Sequence, residues 1–135
     1  MQQPDPNFST TKNITTVPPS LVYSSEDKFE SKLFLPQGHN RETQGGLRIN
    51  GYFKQSLEHK PLISVITVVY NGEKYLEETI QSVINQTYDN VEYIIIDGGS
   101  TDGTLDIIRK YEHAIDFWIC EKDHGLYLSI IHISQ

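Results

Sequence analysis

The 135-residue sequence has one cysteine and no long apolar run. The single Cys120 excludes an internal disulfide and a cysteine-based zinc site, and its place in an aromatic-rich segment predicts a buried structural thiol. The longest apolar run, around residues 62–70, is far shorter than the ~20 residues that a membrane helix requires. The first thirteen residues also lack the apolar core of a signal peptide. These absences predict a cytoplasmic protein without a transmembrane segment.

Positive charge is scarce in the second half of the chain. Residues 1–60 carry a net charge of +1 and residues 61–135 carry −8, which together give the −7 of the whole chain. A strongly acidic half repels a phosphate backbone, so we expect no nucleic-acid partner. The same acidity would suit a site that recruits a divalent cation. The five histidines show no metal-ligating spacing, because neither H-x-x-x-H nor H-E-x-x-H occurs.

Residues 1–60 are predicted to form a largely irregular N-terminal extension. The first 20 residues are rich in Pro, Ser, Thr and Asn without periodicity, which indicates that the start of the chain is disordered. Further along, "SKLFLP" could pair as a short strand, and "GGLRINGYFK" could form a turn-bounded hairpin. We expect this extension to pack as an arm across the part that follows.

From Pro61 the pattern predicts alternating strands and helices. "LISVITVVY" is a continuous β-branched run, which is typical of a central parallel strand buried on both faces. "VEYIIID" and "IDFWICE" predict two more strands, while "EKYLEETIQSVINQ" and "DGTLDIIRKYE" have helical apolar spacing. Asn71 is positioned to cap the first helix, and Ser100 or Thr101 to cap the second. This β-α-β-α-β order predicts an α/β fold with parallel strands flanked by helices, as in the first half of a doubly wound sheet.

Three polar loops follow the predicted strands, at residues 70–73, 97–102 and 121–127. Ligands of doubly wound sheets bind beyond the carboxyl ends of the strands. All three loops contain glycine and polar side chains, as a binding site at that edge requires. We therefore predict the functional site at these loops.

The middle loop, "DGGSTDGT", carries the strongest signal. Asp97 ends an apolar strand, and a carboxylate there suits accepting hydrogen bonds from a base N–H or from ribose hydroxyls. Gly98 and Gly99 permit close backbone approach. The loop is neither a dinucleotide fingerprint, because it lacks the G-x-G-x-x-G spacing, nor a P-loop, because no Lys-Ser/Thr follows. A capped strand-to-helix turn without a ligand is the alternative interpretation.

The outer loops add further candidate side chains. Tyr70 offers a flat face on which a nucleobase could stack, although a core or rim tyrosine would look the same. Asn71 could be a ligand group as well as a helix cap. Glu121 and Asp123 extend from the third strand towards the same crevice, where two loop carboxylates could also be merely solvated.

Taken together, these segments resemble family 2 glycosyltransferases of the GT-A fold. The resemblance runs from about Pro61 to Tyr127 and is carried by "SVITVVYNGEKYLEETIQSVINQTY", "VEYIIIDGGSTDGTLDII" and "EKDHGLY". It implies a nucleotide-sugar-binding half over residues 61–127, with an incomplete, Rossmann-like GT-A sheet. It also implies transfer of a sugar from a nucleotide donor, of uridine type, to an acceptor hydroxyl, as in bacterial cell-surface polysaccharide synthesis.

The resemblance further implies roles for particular residues. Thr67 and Tyr70 would lie against the base, with Asn71 beside them, and Asp97 would hydrogen-bond the base or the ribose. Glu121 and Asp123 would line the donor site. In the family a divalent cation, Mn²⁺ or Mg²⁺, binds the donor diphosphate at an Asp-x-Asp motif. The motif has no counterpart here, so the resemblance assigns no metal ligand and no catalytic residue to this chain.

After Tyr127 the resemblance stops, and residues 128–135, "LSIIHISQ", form an aberrant tail. We therefore expect a truncated fragment of a glycosyltransferase without transfer activity, in which missing strands leave Trp118 partly uncovered and the chain prone to aggregate. An alternative is a non-catalytic nucleotide-binding or interaction module that acts with a partner chain. A receiver-like domain phosphorylated on Asp97 is disfavoured, because the first strand ends in "YNG" and not in an acidic pair. The sequence does not fix the oligomeric state.

Overall fold

The computed structural model describes residues 6–17 and 41–121, of which residues 41 and 42 are described by backbone only. The predicted strand "SKLFLP", the candidate ligand Asp123 and the tail at residues 128–135 lie outside these ranges. The described chain contains four strands, β1 to β4, two α-helices and two short 3-10 turns. They run in the order β1 Arg41–Gly45, 3-10 turn Leu47–Asn50, β2 Ile63–Val69, α1 Leu76–Ile84, β3 Val91–Asp97, α2 Thr104–Lys110, 3-10 turn Glu112–Ala114 and β4 Phe117–Glu121.

The strands form one mixed sheet in the order β1-β4-β3-β2. Strands β2, β3 and β4 are parallel neighbours, whereas β1 runs antiparallel to β4. The predicted α/β class, with a Rossmann-like β-α-β-α-β unit flanked by helices, is confirmed. The antiparallel β1 comes from the segment that was expected to be an irregular arm.

The core lies on both faces of the central strand β3, all seven residues of which are buried. On one face Tyr93 and Ile95 pack with Leu76, Ile80 and Ile108 from the helices. On the other face Ile94 and Ile96 pack with Phe117 and Ile119 of β4. The burial predicted from the helical spacing of apolar residues is therefore confirmed for α1, whose buried residues are Leu76, Ile80 and Ile84.

Strand β2 is less buried than its sequence predicts. It forms the end of the described sheet next to β3, and only Val69 among its seven residues is buried. Ile63 and Val68 remain 47% and 42% exposed. The prediction of a central strand buried on both faces is wrong for this structure, because only one side of β2 has a strand neighbour among the described residues.

Residues 41–62, which we call the lead-in to β2, are an integral part of the fold. Instead of the predicted hairpin, residues 47–50 form a 3-10 turn that ends at the left-handed Gly51. Strand β1 covers the other side of β4, with Gly45 opposite Trp118. Trp118 is only 1% exposed, and its indole N–H donates to Glu112 Oε2 at 2.9 Å. The expectation that missing strands would uncover Trp118 is therefore wrong.

Residues 6–17 make ordered contacts, although disorder was expected there. The Ser9 amide donates to the carbonyl of Ile84 at 2.9 Å, and the Thr10 hydroxyl to the carbonyl of Ala114 at 2.6 Å. Thr15 bridges to Phe53 in the lead-in. These contacts satisfy carbonyls at the end of α1 and at the second 3-10 turn, so this segment supports the end of the helices remote from the carboxyl ends of the strands.

Candidate functional site

The carboxyl ends of β2, β3 and β4 are level with one another. Asp97 is paired in register with Val69 on one side and with Cys120 on the other. Beyond the strand, the Gly98 amide still donates to the Val69 carbonyl at 2.9 Å. The loops that follow β2 and β3 therefore start side by side, as predicted for a site at this edge. Cys120 is a buried thiol, as its sequence context predicted.

Asp97 is fully buried at the end of β3. Both of its carboxylate oxygens lie 3.3 Å from the Ser100 amide, which donates to them, and the Ser100 hydroxyl donates to Oδ1. These are hydrogen bonds to a charged acceptor, which are stronger than neutral ones. They fix the direction of the carboxylate relative to the loop.

Tyr70 and Thr67 occupy different environments, although both were assigned to the base. Tyr70 follows the last residue of β2 and is 58% exposed, so its ring is available at the rim of the site. Thr67 is half-buried, and its hydroxyl oxygen lies 2.7 Å from the Tyr93 hydroxyl on the helix-covered face. Burial raises the pKa of Tyr93, and the bond with Thr67 opposes that rise. The structure therefore gives the Thr67 hydroxyl a partner inside the sheet.

Asn71 does not cap the first helix. Helix α1 begins five residues later, at Leu76, and the Asn71 backbone has a left-handed φ of 50°. Its side-chain Oδ1 instead accepts a hydrogen bond from the Thr101 amide at 2.8 Å. Asparagine tolerates this backbone conformation better than most residues, because its short side chain can hydrogen-bond locally. Asn71 therefore joins the loop after β2 to the loop after β3.

The start of α2 is capped by carboxylates, and not by Ser100 or Thr101 as predicted. Asp102 Oδ1 accepts from the Thr104 amide at 2.9 Å, and Glu73 Oε2 accepts from the Gly103 amide at 3.0 Å. Burial acts to raise the pKa of Asp102, but hydrogen bonds from the Thr104 hydroxyl and amide hold it below its ordinary value. These carboxylates already use the amides that an anionic ligand would need.

Glu73 and Thr104 lie in or beside the loops that the sequence predicted, but sequence reasoning gave neither residue a role of its own. The Gly72 amide donates to the Thr104 hydroxyl oxygen at 2.8 Å, which parallels the contact of Glu73 with Gly103. The Asp-Gly-Thr spacing was a usable signal for the local Asp102–Thr104 cap. No comparable signal exists for Glu73, because its partner lies 30 residues away in the chain.

Glu121 is buried at the end of β4, but it belongs to the face opposite Asp97. Successive side chains of a strand point to opposite faces. Asp97 follows Ile95, which packs on the helix-covered face, and Glu121 follows Ile119, which packs on the other. The structure thus brings Tyr70, Asn71 and Asp97 to adjoining loops and does not bring Glu121 to the Asp97 carboxylate.

The described residues lack two further features. Within residues 6–17 and 41–121, no three or more His, Cys, Asp and Glu side chains group in a way that could hold a metal ion. In the same ranges, no helix has the length and apolar character needed to cross a bilayer.

Comparison with known proteins identifies the family. Residues 64–129 match the sequence model of the family described as Glycosyl transferase family 2. The matched range includes β2 from its second residue, β3, β4 and the sequence of all three candidate loops. Residues 64–129 therefore form a glycosyltransferase family 2 segment, as the resemblance in sequence implied, and the family is one of transferases.

Curated relatives support the same assignment. The chain is 48% identical over 69 residues to a Bacillus subtilis (strain 168) protein named "Putative teichuronic acid biosynthesis glycosyltransferase TuaG", covering 51% of this chain and 25% of that protein. It is 57% identical over 54 residues to an uncharacterized glycosyltransferase of Haemophilus influenzae, covering 40% of this chain and 17% of that protein. A third relative, an uncharacterized glycosyltransferase of Rickettsia typhi, is 41% identical over 64 residues, which are 47% of this chain and 20% of that protein. The chain thus spans a quarter or less of the length of these relatives. No solved structure gives a significant match to it.

Proposed function

We propose that this chain supplies the nucleotide-binding part of a glycosyltransferase that uses a nucleotide-sugar donor of uridine type. The reaction of the whole enzyme would transfer the sugar of that donor to an acceptor hydroxyl. The observation that carries the proposal is the Asp97 carboxylate at the carboxyl end of β3, within the segment that matches family 2.

The chemistry of the carboxylate favours uracil as the base. An ionised aspartate only accepts hydrogen bonds. Uracil presents a donor at N3, whereas cytosine presents an acceptor at the same position and would be repelled. The exposed ring of Tyr70 follows the neighbouring strand and offers a stacking surface for either base. Stacking on Tyr70 would therefore add affinity for either base, while Asp97 would discriminate uracil from cytosine.

The burial of Asp97 sets a condition on binding. The carboxylate has no exposed surface in this structure, so a base can reach it only when the groups that cover it move. Ser100 uses part of its acceptor capacity, and a carboxylate has about four lone-pair sites, so capacity remains for a base N–H. We therefore place the base at the Asp97 carboxylate in an opened form of the site.

The donor diphosphate needs a different environment from the described loops. A divalent cation, Mn²⁺ or Mg²⁺, would compensate its charge in the whole enzyme. The described residues do not fit such an ion, because no suitable group of ligands occurs among them. The amide of Gly103 at the start of α2 is also taken by Glu73. We accordingly assign no transfer step to the described residues, and the role proposed for them is recognition of the nucleoside.

The physiological acceptor is proposed by analogy alone. One relative is named for teichuronic acid biosynthesis, and this supports a role of the whole enzyme in assembling a polysaccharide.

The test is a calorimetric titration of the chain with uridine diphosphate and, separately, with cytidine diphosphate. We expect uridine diphosphate to bind more tightly, and Asp97→Asn to weaken it by about tenfold or more, because the amide presents a donor to the N3–H or leaves it with a neutral acceptor. The same variant should narrow the gap between the two nucleotides. The matched control is Asp106→Asn, which makes the same chemical change at an exposed position of α2.

Three results would oppose the proposal. Equal affinity for the two nucleotides would remove the role of Asp97 in choosing the base. An unchanged affinity in Asp97→Asn, with Asp106→Asn also unchanged, would assign the buried carboxylate to the turn alone. Failure of the chain to bind either nucleotide would remove nucleoside recognition from this chain as it stands.

A further inference from the structure

Ser100 lies between the candidate nucleoside contact and the neighbouring loop. Its hydroxyl oxygen is 2.7 Å from the backbone amide nitrogen of Asn71 and within hydrogen-bond distance of Asp97 Oδ1. The directions of both bonds follow from the groups involved. The amide can only donate, so the hydroxyl oxygen accepts from it, and the single hydroxyl hydrogen donates to the carboxylate.

The Ser100 hydroxyl makes contacts that an ordinary turn at Asp97 does not need. The Ser100 amide by itself would close a local turn on Asp97, since it lies 3.3 Å from both carboxylate oxygens. The hydroxyl adds a second bond to the same carboxylate and also joins it to a residue 29 positions earlier in the chain. The local turn explains the amide contact, but it does not require a hydroxyl.

The neighbouring loop is held in place from its own side. The Asn71 side chain makes a second contact with the loop after β3, since its Oδ1 accepts a hydrogen bond from the amide of Thr101, the residue after Ser100. The backbone of Asn71 is left-handed, and both its backbone amide and its side chain contact the segment of Ser100 and Thr101. Gly72 adds a bond to Thr104. The position of the Ser100 hydroxyl is thus determined by two loops.

We propose that Ser100 is a positioning residue for Asp97, and that it couples the orientation of the carboxylate to the contact between the two loops. The proposal rests on the proposed function, because it takes Asp97 as the nucleoside contact. It reassigns Asn71, which would act through the Ser100 side chain and the backbone amide of Thr101 and would not touch the nucleotide. A base that meets a carboxylate already fixed in direction loses less freedom on binding.

The first measurement needs no ligand. In isotope-labelled chain, three-bond couplings from Asp97 Cγ to the backbone nitrogen and carbonyl carbon report the χ1 rotamer of Asp97. We expect a single rotamer in the unmodified chain, averaging in Ser100→Ala, and restoration in Ser100→Thr, which keeps the hydroxyl. The matched control is Thr101→Ala, which removes an adjacent exposed hydroxyl but keeps the amide bonded to Asn71.

A second measurement uses the unmodified chain, in case Ser100→Ala does not fold. The Asn71 amide belongs to an exposed residue, and its hydrogen-bond acceptor is the Ser100 hydroxyl. We expect its hydrogen exchange to be slowed by tenfold or more relative to a free peptide, by the general rule that a bonded amide exchanges only when its bond opens. Exchange at the free-peptide rate would overturn the proposal.

Uridine diphosphate affinity then separates the positioning role from the function. If Ser100→Ala averages the rotamer and weakens binding by about five- to tenfold, while Ser100→Thr and Thr101→Ala stay within about twofold, the full proposal stands. If the unmodified chain does not bind the nucleotide, the rotamer result alone decides the positioning role, and only the proposed function fails. An unaveraged Asp97 rotamer in a folded Ser100→Ala chain would overturn the positioning role whatever the affinity.

Discussion

Lys54 Nζ lies 2.8 Å from both carboxylate oxygens of Asp116, and both side chains are almost completely buried. Lys54 comes from the lead-in, whereas Asp116 directly precedes β4. The ammonium also donates to the Val91 carbonyl at 3.0 Å, and Asp116 Oδ1 accepts from the Tyr93 amide at 2.8 Å. One ion pair thus joins the lead-in to the two central strands.

Replacing Lys54 by methionine should destabilise the chain by about 3–5 kcal/mol, because it leaves the Asp116 carboxylate buried without its cation. Burial raises the pKa of Asp116, and the Lys54 ammonium opposes that rise, so the variant should take up a proton at this carboxylate. The free energy of unfolding, measured with urea at pH 7, tests the expectation. Loss of a cooperative transition would count as the same result.

The control for this variant is Lys60→Met. Lys60 pairs with Asp89 at 2.7 Å, but their side chains are 42% and 26% exposed, so the loss should stay below about 1 kcal/mol. In the double variant Lys54→Met/Asp116→Asn much of the lost stability should return, since the amide still accepts from Tyr93. Equal losses in Lys54→Met and Lys60→Met would refute the special role of the buried pair.

Two glycines of the lead-in provide a second test of its tight packing. Gly46 and Gly51 both have positive φ, of 111° and 86°. An added Cβ at Gly46 would lie 2.7 Å from the carbonyl oxygen of Asp116, whereas at Gly51 nothing lies within 4 Å. Gly51→Ala should therefore cost only the conformational strain, about 1–2 kcal/mol.

Gly46→Ala should cost clearly more than Gly51→Ala. The carbonyls of Ile115 and Asp116 cannot easily move away, because they accept hydrogen bonds from the Leu47 and Arg48 amides. The difference between the two unfolding free energies, measured side by side, isolates the steric contact from the strain. Indistinguishable values would mean that the lead-in is more loosely held than the structure shows.

The sequence predicted the elements whose signals are local. The helices α1 and α2 have apolar residues at helical spacing, and β3 contains three consecutive isoleucines, so each element could be predicted without knowledge of its neighbours. The prediction fails where the pairing of one strand with another determines the structure. β1 has the sequence "RETQG", which has little strand propensity, and it forms a strand because β4 offers it a free side.

The positions of the candidate site residues could be predicted only where their signals are local. Asp97 at the end of an apolar strand could be located from the sequence, and the structure places it beside the loop of Tyr70 and Asn71. The partners of Asn71 and Glu73 could not be foreseen, because each lies 30 residues away and depends on the alignment of two parallel strands. The side of the sheet from which Glu121 projects likewise depends on where β4 ends.

The exposed side of β2 predicts self-association. Seven uncharged residues form this strand, and Val68 is 42% exposed beside a backbone with one strand neighbour in the described sheet. Native edge strands are protected by charges, prolines or bulges, and β2 has no charge or proline along its length. We expect Val68→Lys to reduce association, measured by light scattering over a range of protein concentrations.

The matched control for Val68→Lys is Gln86→Lys, at an exposed position just after α1. Both variants add one positive charge, so they change the repulsion between molecules equally. A reduction in Val68→Lys alone would locate the association at the β2 edge. Equal behaviour of the two variants would locate it elsewhere.

Tyr93 and Thr67 make a prediction about alkaline pH. Burial raises the pKa of Tyr93 above its ordinary value of 10.0, so the unfolded chain ionises this phenol before the folded chain does. The stability that Tyr93 contributes is therefore fully present below about pH 10 and is lost as the pH rises from there towards the folded pKa. Tyr93→Phe should be about 1 kcal/mol less stable at pH 8, because the Thr67 hydroxyl loses its partner.

The difference in unfolding free energy between the unmodified chain and Tyr93→Phe should shrink as the pH is raised above 10, since only the tyrosine chain loses stability through this phenol. Thr67→Val separates the two contributions, because the Thr67 bond lowers the pKa of Tyr93 and its removal should raise that pKa further. The chain has eight tyrosines, so the shift would be followed as the difference in tyrosinate absorbance between folded Thr67→Val and folded Thr67→Val/Tyr93→Phe. A constant difference from pH 8 to pH 11 would show that Tyr93 ionises at the same pH in the folded and unfolded chains, and it would contradict the raised pKa of the buried phenol.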